Sequence, residues 1–177
     1  MINAARGFFD VVILRPTSVF GPRGEAVNKL ASDLATGSRL RNYLKSCLFD
    51  RRKMNLVHIA NVVASILFLM PRTEHFGGEV FIVSDDDSPI NNFADVERFL
   101  MQEFRAPHYS LPRLLMSPCL LVFLLRCLGR NNINPHCYYV QDKLESLGFT
   151  KPVSFENGLT EYANWYRSVH LDKDAER

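Results

Sequence analysis

Phe8 to Leu14 (FFDVVIL) is a nearly continuous apolar run, rich in β-branched residues. That pattern predicts a strand buried on both faces, as in a parallel sheet. Pro16, Gly21, Pro22 and Gly24 break it into a loop. Glu25 to Thr36 then reads as a helix closed by Gly37, and Leu40 to Leu48 as a short edge strand. Met54 to Val57 is a second buried strand. Ile59, Val63, Ile66, Leu67 and Met70 recur on one face of a helix, predicted to face the core and to stop at Pro71. Gly77 and Gly78 turn the chain into a third strand, Glu79 to Val83. Beyond the acidic turn Asp85 to Asp87, Phe93, Val96, Leu100 and Phe104 mark another amphipathic helix. Pro112 to Leu128 reads as helical, split at Pro118. Tyr138 to Leu147 is a helix ended by Gly148, and Ser154 caps a last helix running to Ser168.

Strands alternate with helices, and helices dominate the second half, which predicts an α/β fold. No internal repeat or linker interrupts residues 1–177, so the chain is read as a single domain. A strand apolar on both faces needs parallel neighbours, and few are on offer. Part of the sheet is therefore expected to be missing from this chain.

Composition narrows the function classes. With 47% apolar and 23% charged residues, the chain is suited to a packed core. A net charge of +2 is too small to imply nucleic acid or an anionic membrane. Cys47, Cys119, Cys127 and Cys137 show no C-x-x-C spacing, and the histidines are scattered, so no metal site is expected. The cysteines read as buried, reduced thiols of a cytoplasmic protein. The opening MINAARGFFDVVILRP lacks the form of a signal peptide. Met116 to Leu125, the longest apolar stretch, is about half a membrane span, so no membrane span is expected.

Candidate chemistry concentrates in ILRPTSVFGPRG, Ile13 to Gly24. A buried strand ends at Arg15, and Thr17 and Ser18 stand at the mouth of a proline-glycine loop. Ligands of open α/β sheets sit beyond the carboxyl ends of strands. The same segment resembles the LRPxNVYGP signature of the extended short-chain dehydrogenase/reductase family. MNLVHIANVV resembles that family's R-x-x-V-H-V-x-D-V element. LGFTKPVSFENGLTEYANWY is similar to its C-terminal L-G-[FW]-x-P element, and GGEVFIVSDDDSPINNFADVERFL fits the strand, turn and helix between them.

The resemblance implies the C-terminal part of a Rossmann-like NAD(P)-dependent nucleotide-sugar epimerase, dehydratase or reductase. It implies a few parallel strands plus a helix-rich substrate-binding region. It also implies an absence: the family's glycine-rich dinucleotide loop and its Tyr/Lys catalytic motif belong upstream. No catalytic residue is therefore assigned. Tyr139 and Lys143 do form Y-x-x-x-K, but in the wrong context, and are read as a chance match.

By resemblance, Pro16, Thr17 and Ser18 line the nicotinamide end of NAD or NADP. Ser18 stands where the family's Asn meets the nucleotide sugar. Asn28 and Tyr43 line the same substrate pocket, Tyr43 near the base. Met54 replaces a phosphate-binding Arg, leaving Arg52 and Lys53 as substitute cations. Asn61 replaces the family's Asp and is expected to cap the next helix, and His58 to be a structural hydrogen-bonder.

Three functions stay open at this point. The chain could be the substrate-binding half of an enzyme, inactive alone. It could be a non-catalytic nucleotide-sugar binding or regulatory module, as a homodimer or with a partner chain. The third reading, a nucleic-acid or membrane-surface protein, rests on Arg39, Arg41, Lys45, Arg51, Arg52 and Lys53. No nucleic-acid motif accompanies these cations.

Overall fold

A computed structural model of the chain describes residues 10–112, 114, 127 and 137–171. Strand β1 (Val12–Pro16) runs into β2 (Ser18–Phe20), followed by α1 (Asn28–Thr36) and α2 (Arg39–Phe49). Then come β3 (Leu56–His58), α3 (Ile59–Leu69), β4 (Glu79–Val83) and α4 (Phe93–Glu103). Farther along, α5 (Asp142–Ser146) precedes α6 (Phe155–Tyr166), which continues as a π-helical turn, Arg167–Leu171. The predicted helix over Pro112 to Leu128 lies outside the described residues, as do Phe8 and Phe9.

The two strand pairs are both parallel. β1 pairs with β4, Val12 opposite Glu79 through Pro16 opposite Val83. β2 pairs with β3, Ser18 opposite Leu56 through Phe20 opposite His58. The change of partner falls on Thr17. Its N–H still donates to Val83 O at 3.0 Å, while the next N–H, of Ser18, donates to Asn55 O at 2.8 Å. The Asp85 N–H in turn donates to Leu56 O. Thus β3 enters between the carboxyl ends of β1 and β4 and splays them.

One core cluster joins Phe20, Val27, Leu30 and Leu56 to Val96 and Leu100 of α4 and to Leu159, Tyr162 and Tyr166 of α6. Here the predicted apolar positions of α4 face inward. Asn92 and Ser154 cap α4 and α6 by accepting from the N–H groups of Asp95 and Asn157. The second cluster joins Val57, Val62, Leu69, Phe81 and Val83 to Leu144 and Phe149, with Val12 and Leu14 half-buried against it.

Several expectations fail. Leu40 to Leu48 is helical, not an edge strand: Asn42, Tyr43, Ser46 and Cys47 form its buried face. Two of these are polar, which hid the helical period. The α1 helix starts at Asn28, three residues after the expected Glu25, and α5 shrinks to one turn and a half. Strand β1 is only half-buried at Val12 to Leu14 and exposed at Arg15 and Pro16.

The inward face of α3 is also not the predicted one. Asn61, Val62, Ser65 and Leu69 are buried, whereas Ile59, Val63, Ile66, Leu67 and Met70 are exposed. Polar residues point inward because each has a partner there. The Ser65 hydroxyl donates to Val62 O, and the Asn61 amide donates to Asp85 and to Val153 O. Asn61 therefore does not cap α3; it ties α3 to the entrance of α6, and Val153 N–H returns a bond to Asn61 Oδ1.

Candidate functional site

At Thr17 the chain leaves β4 for β3, at the carboxyl ends of β1 and β4, the end of an α/β sheet at which ligands collect. Thr17 sits at the junction with its hydroxyl buried and without a hydrogen-bond partner. Ser18 follows, exposed. Beside it Asn55 adopts left-handed backbone, φ 51°, which asparagine tolerates. Its amide donates to Asp86 Oδ2 at 2.6 Å and to Cys137 O at 2.8 Å. The Tyr139 N–H donates to the same carboxylate oxygen. Lys53 Nζ donates to Asp86 O and lies 5.5 Å from the centre of the Tyr138 ring. The structure thus brings Thr17, Ser18 and Lys53 to one end of the sheet, with Pro16 as the last residue of β1.

The other predicted pocket residues stand apart from this group. Tyr43 is buried on α2, its hydroxyl donating to Pro112 O and its ring edge-on to Tyr109. It borders a separate cavity of about 290 Å³ with Arg39, Leu40, Ser110 and Leu111. No described hydrogen bond or ring contact joins this cluster to Thr17 or Ser18. Asn28 opens α1, half-buried, its N–H on Glu25 O. The Arg52 guanidinium lies over the Phe49 ring at 5.4 Å.

Gly21 and Gly24 form no phosphate cradle. Gly24 N–H donates to Gly21 O at 2.9 Å, closing the turn. A Cβ at Gly21 would lie 2.6 Å from Ile59 Cγ2, so protein already fills that side. The described residues therefore fit at most one end of a dinucleotide, at Thr17, and not its pyrophosphate. Tyr139 and Lys143 do not converge either. Tyr139 is held at Asp86, beyond the carboxyl end of β4, while Lys143 pairs with Glu79 at its other end, 2.8 Å away.

Sequence reasoning missed the polar network behind the crevice. Asp85 accepts from the His58 N–H at 2.9 Å, from Asn61, and from Lys151 at 3.3 Å. Burial pushes the Asp85 carboxyl up, against the pull of those donors. Burial disfavours charge on Lys151 too, but the bond to Asp87 and the charge of Asp85 outweigh it and raise its pKa. His58 is 1% exposed and its ring makes no hydrogen bond, so it is not the expected structural hydrogen-bonder. Its ring instead packs edge-on against Phe20. Burial pushes its pKa down, opposed by Glu161 and Asp85. The signal was legible: the Ser84–Asp87 run follows a strand directly, where ligand-facing residues collect.

A cavity of about 530 Å³ opens near this network, lined by Asp85, Asp87, Gln141, Glu145, Lys151 and Glu156 among others. Four carboxylates against one ammonium give it the wrong sign for a diphosphate. Among the described residues no His/Cys/Asp/Glu cluster could hold a metal, and no helix is long and apolar enough to cross a membrane. Cys47 is buried, Cys137 half-buried and Cys127 exposed, all as free thiols, so burial is not general among the cysteines.

No protein-family model matches the chain, and no curated protein matches it. Solved structures do. A UDP-glucose 4-epimerase of Thermotoga maritima with UDP-glucose superposes with a TM-score of 0.61 at 17% identity, over 93% of this chain and 48% of that one. The Bordetella bronchiseptica enzyme WbmG, in complex with NAD and UDP, gives 0.63 at 20% identity, over 93% and 46%. A Bacillus cereus UDP-glucuronic acid 4-epimerase, with UDP-glucuronic acid and NAD, gives 0.56 at 15%, over 96% and 49%. The chain spans about half the length of these structures. Its fold is that of the matched half of nucleotide-sugar epimerases and dehydratases, a partial Rossmann-like α/β unit.

Proposed function

We propose that the chain is the substrate-holding half of an NAD(P)-dependent nucleotide-sugar epimerase, dehydratase or reductase. The observation that carries the reading is the partner change at Thr17. It leaves a buried, unpartnered hydroxyl and the exposed Ser18 at the strand ends, with Lys53 at the same end of the sheet. Three of the matched structures hold a nucleotide or nucleotide sugar, and two of those hold NAD as well.

The roles follow from the chemistry of the side chains. Ser18 offers a donor and an acceptor to a sugar hydroxyl. Lys53, steered by Asp86 O and the Tyr138 ring, supplies a positive charge to a diphosphate. Thr17 would meet the nicotinamide end of a dinucleotide whose hydride transfer the cofactor itself supplies. Tyr43, Asn28 and Arg52 remain candidate pocket residues, Tyr43 only by the edge its cavity leaves. Proton transfer needs a base that the described residues do not place at the crevice, so the lone chain is expected to be inactive.

Amide chemical shifts of the ¹⁵N-labelled chain, titrated with UDP-glucose, test the site. Shifts are expected at Thr17, Ser18, Lys53 and Tyr138, with none at Lys143. Saturating UDP-glucose without any movement at those residues removes the reading. A non-catalytic module is the second reading, favoured by the Gly21–Gly24 turn, which leaves no phosphate cradle. NADH oxidation by the complete assembly separates the two.

A further inference from the structure

The exposed Ser18 is placed by its backbone: its N–H donates to Asn55 O at 2.8 Å, where β2 meets β3. Asn55 itself adopts left-handed backbone, φ 51°, which a side-chain-bearing residue keeps only when its surroundings fix it. One amide nitrogen does the fixing: Asn55 Nδ2 donates to Asp86 Oδ2 at 2.6 Å and to Cys137 O at 2.8 Å.

Asp86 is 1% exposed, and both of its carboxylate oxygens are engaged. Oδ1 accepts from Asn91 Nδ2 at 3.1 Å, and Oδ2 accepts from Tyr139 N–H at 3.0 Å besides the Asn55 amide. The same residue bears on Lys53 twice. Its carbonyl accepts from Lys53 Nζ at 3.2 Å. Its hold on Tyr139 N–H also fixes the adjoining Tyr138, whose ring centre lies 5.5 Å from that ammonium.

Burying a carboxylate is costly, and the neutral N–H donors described here offset only part of that cost. Its negative charge also stands beside the cation read as the diphosphate contact. Charge alone would therefore set Asp86 against an anionic ligand, whereas its bonds place the groups that would meet one.

We propose that Asp86 is the positioning residue of the candidate site: through Asn55 it sets Ser18, and through its carbonyl and the Tyr138 backbone it sets Lys53. Being buried, Asp86 touches no ligand itself. For its ligand the proposal rests on the nucleotide-sugar reading above; for the placing of Ser18 it rests on the described bonds alone. Geometry and charge predict opposite signs, so removing the carboxylate decides between them.

The test compares Asp86→Ala, Asn55→Gly and the double variant in the full ¹⁵N-labelled chain. Glycine leaves left-handed backbone accessible while deleting the amide. In the ligand-free chain each single change is expected to speed hydrogen exchange at the Ser18 amide about tenfold, and the double change no more than either, since both cut one path. The Thr17 N–H, bonded to Val83 O instead, is expected to keep its rate. Titrated with UDP-glucose, each variant should bind about tenfold more weakly, again without addition. Should Asp86→Ala fail to fold, Asp86→Asn takes its place; one end of its amide then turns a donor toward the donors of Asn91 or of Asn55 and Tyr139, and the same loss in smaller measure is expected. Unchanged or tighter binding in the Asp86 variant overturns the proposal, because the carboxylate then acts only as a charge. Equal acceleration at Thr17 and Ser18 overturns it too, marking a merely structural role, as do losses that multiply in the double variant. A wild-type chain that ignores UDP-glucose, yet shows the coupled loss at Ser18 in the variants, removes the nucleotide-sugar reading and leaves Asp86 as the residue that sets Ser18.

Discussion

Among the described residues two apolar regions stand out, and only one of them closes. Around α4 and α6, Val96, Leu100, Leu159, Tyr162 and Ala163 are buried, and their aromatic neighbours meet at ring-centre distances of 5.2 to 6.1 Å. Around β1 and α3, residues just as apolar stand half in solvent. Composition does not separate the regions; the number of layers does. The first has helices from both halves of the chain folded over Phe20 and Leu56. The second has α3 and α5 on one side of a two-stranded sheet.

The largest effect expected is in the closed region. Leu159→Ala removes a fully buried side chain and should cost about 2–5 kcal/mol in chemical denaturation. A loss under ~1 kcal/mol would mean that the region is not closed as described. Gly158→Ala is next. The new Cβ would lie 2.9 Å from His58 Cδ2 and 3.2 Å from Phe20 Cζ, both rings being buried. Overpacking should exceed the helix-propensity gain, for a net loss of about 1–2 kcal/mol. A stabilised variant would show that His58 is free to move.

The buried imidazole gives a smaller, pH-dependent effect. The His58 pKa is lowered in the fold, so the unfolded chain binds the proton first. Stability is full above the unfolded value near 6.5 and falls as pH drops below it, until the folded value is passed. The slope from this one group is at most about 1.4 kcal/mol per pH unit. Melting curves between neutral and mildly acidic pH should show it, and His58→Gln should flatten it. Burial raises Asp85, so its contribution has the opposite sign and falls as pH rises; the difference between the wild-type and His58→Gln curves isolates the histidine. The smallest effect belongs to the open region. Leu67→Gln should alter the stability of the isolated chain by less than ~0.5 kcal/mol. A loss of several times that size would place Leu67 in a core and erase the contrast.

Sequence reading succeeded where one element satisfies one rule. The strand Glu79–Val83, the apolar face of α4 and the Ser154 cap follow from alternation, helical period and capping chemistry alone. It failed where polar groups face inward. Asn42 and Ser46 on α2 are buried, with the Ser46 hydroxyl on Glu97, and their polarity concealed a helix. Asn61 and Ser65 on α3 are buried for the sake of Asp85 and Val62 O, which turned the apolar stripe outward. Such partners lie 24 to 51 residues away in three of these bonds or within the helix itself in the other. The site divides the same way. Pro16, Thr17, Ser18 and Lys53 stand at one end of the sheet, where Asn55, Asp86 and Tyr138 are placed by contacts no spacing announces.

Methionine oxidation addresses the contrast between the two regions most directly. Met70 lies at the end of the open stripe, and Met101 is buried on α4. Mild peroxide treatment of the isolated chain should convert Met70 to the sulfoxide well before Met101. In the protein isolated from its own cells, Met70 should become as slow as Met101, as the half-enzyme reading predicts. Equal, fast oxidation of Met70 in both preparations would contradict the account and leave the stripe as ordinary surface.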